Sequence, residues 1–507
     1  MSESQNRWGD EALAAIDLGS NSCRLEIARL RRGDYKTLAY WKEPIRLGAG
    51  LDADGMLTEA ATARALACLS RFGAELKGFA PERVRAVATQ TLREAKNRNA
   101  FLERAETALG FPVEVIAGRE EARLIYSGVS RLQPSSKTRL VIDIGGRSTE
   151  LILGQATRPL KVESFAVGSV GLSVRFFADG RFTAEGFRQA QVATAAELEE
   201  AIAQFSRSQA DPPWVEVLGA SGTVGAVSQI LEASGRAPDG RIDAEGLRWC
   251  IEACLKAGSV QALRLPGLKD ERRGVVAGGL CILYTLVTLF GIEAIYPARG
   301  ALRQGLVFDL GERLKLREHE ASKDLRDPTV RAAQLRFGVD LSQAERVRSL
   351  ALRLHRQLDP GADAERRLEL GWAAAWHELG MAIAHHDHHR HSHYLISHLD
   401  APGFSENQLR RLGALALGQR GGLRKLEFEL QDEALLWQLL ALRLALIKCH
   451  ARGPIVERRM RLERKDRDVV VRMVPGWAEM HPQALYLLRE EAAAWLRTGL
   501  LELAIEA

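Results

Sequence analysis

The sequence predicts two α/β lobes, then an α-helical domain, then a small mixed α/β tail. Three observations carry that expectation. One glycine-turn segment occurs twice, short apolar runs alternate with helical stretches up to about residue 303, and amphipathic helices dominate beyond it. The chain has 507 residues, more than one hydrophobic core accommodates, and four domains are expected over 1–124, 125–304, 305–447 and 448–507.

The duplication sets the architecture. Residues 14–27 read AAIDLGSNSCRLEI and residues 140–153 read LVIDIGGRSTELIL, related by an offset of 126. Asp17 meets Asp143, Gly19 meets Gly145 and Ser22 meets Ser148. Each copy reads as strand, glycine turn, strand. Glycine permits positive φ and close approach to a ligand, and successive N–H groups in such a turn form an anion-binding nest. Hydroxyls at Ser20, Ser22, Ser148 and Thr149 add donors, and the aspartate ending each first strand can hold a metal or its water shell. A third segment, 214–218, is an apolar strand followed by Gly219-Ala220-Ser221-Gly222-Thr223 and a helical pattern, an arrangement common at phosphate sites.

Helical patterns at 59–77 and 183–206 alternate with these strands. Gly274 to Ile292 carries no charge, close to a membrane-span length. Its glycines and threonines and its isolation favour a buried helix of an α/β core, so no integral membrane segment is expected. Later come amphipathic helices at 342–358, 364–385 and 432–450, a β-rich piece at 468–474 and a final helix at 482–503.

Composition excludes several classes. The start, Met1 to Asp10, has no apolar run behind a basic segment, so no secretory signal is expected. The six cysteines are scattered in apolar stretches and lack zinc-site spacing, which suits buried thiols of a cytoplasmic protein. Net charge is only +5, which gives no signal for nucleic acid. The charge is uneven: Arg452, Arg458, Arg459, Arg461, Arg464, Lys465 and Arg467 crowd one stretch, readable as a solvated surface or as a polyanion track.

Nine stretches together resemble a known family: AAIDLGSNS (14–22), ATQTLREAKN (88–97), AGREEARLIYSGV (117–129), LVIDIGGRSTELILG (140–154), VGSVGLS (167–173), LGASGTV (218–224), LPGLKDERRGVVAGGLCIL (265–283), ARGALRQGLV (298–307) and HELGMAIAHHDHHRHSHYL (377–395). The chain resembles the exopolyphosphatase/guanosine pentaphosphate phosphohydrolase family in its long, four-domain bacterial form. The resemblance implies duplicated actin-like ATPase (ribonuclease H-like) lobes, an HD-like helical domain and a homodimer. It also implies a Mg²⁺-dependent hydrolase acting on phosphoanhydrides, in the cytoplasm, with peripheral membrane association compatible.

By that resemblance Glu121 is the catalytic base, Arg93 an active-site arginine offering bidentate donation to phosphate, and Asp143 and Glu150 the Mg²⁺-associated carboxylates. Asp17, Gly19, Ser20, Asn21 and Ser22 would form one phosphate loop; Gly145, Gly146, Ser148 and Thr149 would form the facing one, joined by Gly222 and Thr223. A carboxylate beside the terminal phosphoryl can orient and deprotonate water, which is most of what this reaction needs. Neighbouring Glu120 points elsewhere on a helix and reads as exposed. Arg147 stands where the family usually has glycine; it is either strained by positive φ or a donor to the phosphate chain, and the second reading is preferred.

Eight of twelve histidines lie between His377 and His398, yet His377-Glu378 stands where HD enzymes carry His-Asp, and adventitious metal binding is the most that is expected. The leading substrate is inorganic polyphosphate, with Arg458, Arg459, Arg461, Arg464 and Lys465 as its track. The alternative is the 5′ γ-phosphate of guanosine pentaphosphate, or both. A sugar kinase or ATPase on the same fold, and a non-catalytic sensor, fit less well because the EEARLI segment and both metal-type carboxylates are retained.

Overall fold

The computed structural model describes residues 7–31, 34–318, 324, 326–452 and 460–506. The chain divides into two compact units, Met1–Ser322 and Lys323–Ala507.

Unit one holds two five-stranded sheets of identical connectivity. The first contains β1 (Leu13–Leu18), β2 (Ser22–Arg31), β3 (Asp34–Pro44), β4 (Val84–Ala88) and β5 (Val113–Val115), in the order β3-β2-β1-β4-β5. The second contains β6 (Thr138–Ile144), β7 (Thr149–Gln155), β8 (Arg158–Phe165), β9 (Glu216–Gly219) and β10 (Tyr296–Pro297), in the order β10-β9-β6-β7-β8. In each, three strands form an antiparallel meander and the first strand pairs in parallel with a later one. Every residue of β1 is buried, as expected for a central strand covered on both faces. The repeat read from sequence is thus a repeat of fold.

The two sheets sandwich a shared layer. Helix Gly118–Leu132 and helix Leu302–Glu318 pack between them, where Leu124, Ile125, Leu302 and Leu306 meet Val87, Val141 and Ile152 in one apolar cluster. The helices touch through backbone: a Cβ on Gly305 would sit 1.8 Å from the Leu124 carbonyl, and one on Gly128 2.4 Å from that of Ala301. The sequence boundaries at 124/125 and 304/305 therefore fall inside helices that this interface holds rigid. A buried ion cluster pins the layer. Asp309 receives Arg85 at 2.5 Å, Arg313 at 2.6 Å and Arg123 at 2.8 Å, and Arg123 also grips both oxygens of Glu120 at 2.7 Å. Burial alone would raise the Asp309 carboxyl, but Arg313, Arg85 and Arg123 overrule it and hold it far below the usual range. Glu120, expected to be exposed, is 3% exposed because this cluster claims it.

The uncharged stretch forms helix Val276–Phe290, buried on nearly all sides, and no described helix is long and apolar enough to cross a membrane. All six cysteines are free and buried.

Unit two is helical around one core that also takes in its C-terminal strands. Helices Leu341–Leu358 and Glu433–Lys448 match expectation. The helix expected over 364–385 stops at Trp376, because the His377 carbonyl accepts Ser392 and Gln419 side chains at 2.9 and 2.8 Å instead of continuing the ladder. The final helix ends at Leu496; Gly499 at φ +67 turns the chain, and 502–506, alternating buried and exposed, forms a strand. That strand, β13 (Glu502–Glu506), runs parallel to β12 (Asp468–Met473), which pairs with β11 (Met460–Lys465).

Candidate active site

The paired hairpins of the two lobes face each other. A Cβ on Gly146 would approach the Ser20 Cβ to 3.0 Å, so the second loop lies directly on the first. None of Gly19, Gly145 and Gly146 has positive φ; Gly146 serves the approach of the two loops, while Gly19 and Gly145 each lie close to the serine carbonyl of their own hairpin, at 3.2 Å from where a Cβ would stand. Between the loops opens a cleft of about 330 Å³.

Most of the expected residues line it: Asp17, Gly19, Ser20, Asn21 and Ser22 from one side, Asp143, Gly145, Gly146 and Ser148 from the other, and Gly222 and Thr223 at the third turn. Ser221 caps helix Gly222–Ala233 by accepting from the Thr223 and Val224 amides, and Thr223 Oγ1 donates to the Ile144 carbonyl at 3.0 Å, tying the third turn to β6. Glu121, in the first turn of helix Gly118–Leu132, also lines the cleft and is 7% exposed. Burial pushes its carboxyl above the ordinary range, Arg93 partly offsets this, and the Asp17 charge adds to it.

Four expected residues stand elsewhere. Arg93 does not line the cleft; it donates to Glu121 Oε2 at 2.9 Å, to the Ile116 carbonyl at 2.7 Å and to Gln90, so its guanidinium holds the Glu121 carboxylate in place. Thr149 turns into the core and donates to the Val167 carbonyl at 2.6 Å. Arg147 is neither strained nor in the cleft: its φ is not positive, and it pairs with Glu94 at 2.6 Å and donates to the Gly48 carbonyl at 3.3 Å. Glu150 sits behind the loop, 1% exposed, accepting from Ser164 Oγ at 2.8 Å.

The electrostatics are lopsided. Asp17 pairs with Arg24 at 3.1 Å. Among the described residues Asp143 has no such ion pair; burial and the nearby Glu121 charge, against Arg24 and Arg303, push it up to about 7. Glu150 is pushed well above its ordinary range by burial, Glu121 and Asp143. Among the described residues no trio of His, Cys, Asp or Glu closes on one point.

Sequence reasoning missed the cationic wall. Arg24, Lys42, Arg272 and Arg303 line the cleft, with Tyr40 beside them. Lys42 of the first lobe pairs with Glu271 of the second at 2.7 Å, and Arg303 donates to Glu26 at 3.2 Å while lying over the Tyr40 ring. The Arg272 guanidinium packs against Gly222, 2.2 Å from where a Cβ would stand, so a side chain there would displace it. Burial and Arg24 lower its pKa. Only Arg24 carried a sequence signal, as the counterpart of Glu150 across the repeat.

Three of the five expected track residues are described. Arg458 and Arg459 lie outside the described residues. Arg461 and Lys465 are exposed on β11, but Arg464 is engaged structurally: it stacks 3.9 Å over Trp437, donates to the Leu358 carbonyl at 2.8 Å and pairs with Glu433 at 3.0 Å.

Comparison with known proteins follows the same geometry. The Ppx/GppA phosphatase family model matches residues 26–314, and its domain III model matches 325–492. The chain belongs to the Ppx/GppA phosphatase family. Within that family it is 35% identical over 493 residues to the guanosine-5′-triphosphate,3′-diphosphate pyrophosphatase of Aeromonas hydrophila, covering 96% of this chain and 97% of the relative. Among solved Ppx/GppA structures it is similar to an exopolyphosphatase from Cytophaga hutchinsonii (25% identity, TM-score 0.53, 59% of this chain and 98% of that one). It is also similar to the Aquifex aeolicus family member (26% identity, TM-score 0.50, 62% and 99%).

Proposed function

We propose that the chain hydrolyses the terminal phosphoanhydride of guanosine pentaphosphate, with inorganic polyphosphate as a second substrate of the same cleft. One observation carries the reaction class: Glu121, buried and clamped by Arg93, lines a cleft between two phosphate-type loops. A carboxylate with a raised pKa is a better base near neutrality, and Glu121 is placed to take a proton from a water aimed at the terminal phosphorus. The water oxygen bonds to phosphorus as the bridging P–O bond breaks, and the electron pair leaves with the shortened phosphate chain. Loop amides and the Ser20, Ser22 and Ser148 hydroxyls would hold the phosphoryl oxygens.

The carboxylates suit Mg²⁺, which needs only one or two of them besides water and phosphate. Asp143 lines the cleft opposite Asp17 and would hold the ion, with Glu150 behind it as the outer charge. When bound, Mg²⁺ would neutralise charge on the phosphoryl oxygens.

Polyphosphate led the expectation from sequence, and two findings favour reordering: the relative spanning 96% of the chain is named for the guanosine substrate, and Arg464 of the supposed track is occupied. We read the helices of unit two as HD-like and the assembly as a cytoplasmic homodimer. Phosphate release from guanosine pentaphosphate and from long polyphosphate, with and without Mg²⁺, tests the reading. Faster release from polyphosphate reverses the substrate order, and unchanged rates in Glu121→Gln dismiss the mechanism.

A further inference from the structure

The histidine-rich segment of unit two has no part in the cleft chemistry, yet it lines a second cavity of about 450 Å³, larger than the cleft. Its floor is built and saturated. Arg443 grips Glu491 through two bonds of 2.6 Å and donates to the Gly418 carbonyl at 2.6 Å. His377 is 2% exposed, its Nδ1 2.7 Å from the Ala374 carbonyl, and Gln343 donates to the Cys449 carbonyl at 2.9 Å. Glu378 at the same wall is paired with Arg452.

The remaining polar groups are different. Among the described residues Arg420 and Arg497 line this cavity with no side-chain hydrogen bond or ion pair. His388 lines it too, 6% exposed, and its buried Nδ1 has no partner. A buried polar atom left unpaired calls for a partner, such as a ligand or an ordered water. Burial pushes His388 down to about 4, so its ring is a neutral donor-acceptor near pH 7. Met381, Leu446, Ile447 and Leu487 supply an apolar strip of the same lining.

We infer that this cavity is a second ligand site, taking a phosphorylated nucleoside. Arginines without partners suit phosphate oxygens, which they bind in a bidentate fork. The apolar strip and the neutral ring suit a flat heterocycle with its own donors and acceptors. Glu490, also lining the cavity without a partner among the described residues, disfavours bare phosphate and suits a ribose or base donor. The site is independent of the cleft reading, because no residue is common to the two cavities.

The test is hydrogen-exchange mass spectrometry on the full chain titrated with GDP, in wild type and in the double variant Arg420→Glu, Arg497→Glu. Both arginines are exposed, so the variant should fold. GDP is expected to protect residues 381–390, 418–422 and 490–497, separately from any protection at 17–22 and 143–149 in the cleft. The double variant should lose roughly tenfold or more in affinity at the first set, with phosphate release from the cleft unchanged. Leu487→Trp, which fills the cavity without changing charge, should have the same effect. Absence of protection in those segments, or its survival in both variants, overturns the inference; equal protection by inorganic phosphate alone overturns the assignment to a nucleoside.

Discussion

The two glycine hairpins share strand order and register, yet carry opposite charges at one pair of equivalent positions, Arg24 and Glu150. In the first lobe Asp17 lies across the ladder from Arg24, and the two form an ion pair at 3.1 Å. In the second lobe Asp143 lies across from Glu150, whose carboxyl burial, Glu121 and Asp143 together push up. Arginine in one copy and glutamate at the equivalent site of the other thus leave one aspartate ion-paired and the other beside a second buried carboxylate. The duplicated backbone supplies two loops; the asymmetry says which of them would hold a cation and which supplies a preset positive charge. Glu121 belongs to neither repeat, and it reaches the cleft because the inter-lobe helix that carries it is fixed by backbone contact and by Asp309.

The largest expected effect is at that third element. Glu121→Gln keeps the shape and removes the base, and phosphate release should fall by roughly 10²–10⁴-fold while substrate binding persists. Wild-type turnover would break the comparison at its centre.

Next, Glu150→Gln should weaken Mg²⁺ dependence of the second hairpin, with roughly 10–100-fold lost in ion affinity or rate, as for outer groups around a metal. Arg24→Gln, the equivalent change in the first lobe, should leave the Mg²⁺ requirement unaltered; equal shifts in both variants would mean that the two copies are not electrically distinct.

Stability should report the same asymmetry with a definite sign. Asp143 rises from its ordinary value, about 3.9, to about 7 in the folded protein. Between those values the folded protein keeps a proton that the unfolded chain has released, so stability falls as pH rises through this window. Activity, which needs the carboxylates ionised, should rise over the same range. Asp143→Asn should therefore raise the melting temperature by a few degrees at pH 8 and have little effect at pH 4; a larger gain at pH 4 would contradict the burial of an uncompensated carboxylate.

The smallest effect concerns unit two. Arg464→Ala should cost about 1 kcal/mol of stability, through the lost stacking on Trp437, and change polyphosphate turnover little. Arg461→Ala should change neither by much. Early release of long chains by either variant would restore the basic track.

Much of this was legible in the residues. The repeat at an offset of 126 announced two equal sheets, because a strand-turn-strand segment with a fixed Asp-apolar-Gly order is a local pattern. The helices of unit two were equally visible as apolar periodicity, except where a carbonyl found side-chain partners after Trp376 and where Gly499 redirected the tail into a sheet.

Roles were less visible than positions. Arg93, Glu120, Arg147 and Thr149 all sit in or beside the quoted motifs, but each spends polar atoms on another side chain or on a backbone carbonyl. By itself the sequence determined which segments fold into loops and which carboxylates could meet phosphate, since local pattern governs turn and strand. Only the tertiary structure decided which charges are paired, because ion pairs such as Arg123–Asp309 and Lys42–Glu271 join residues 186 and 229 positions apart, and burial, which sets their strength, is a property of the packed whole.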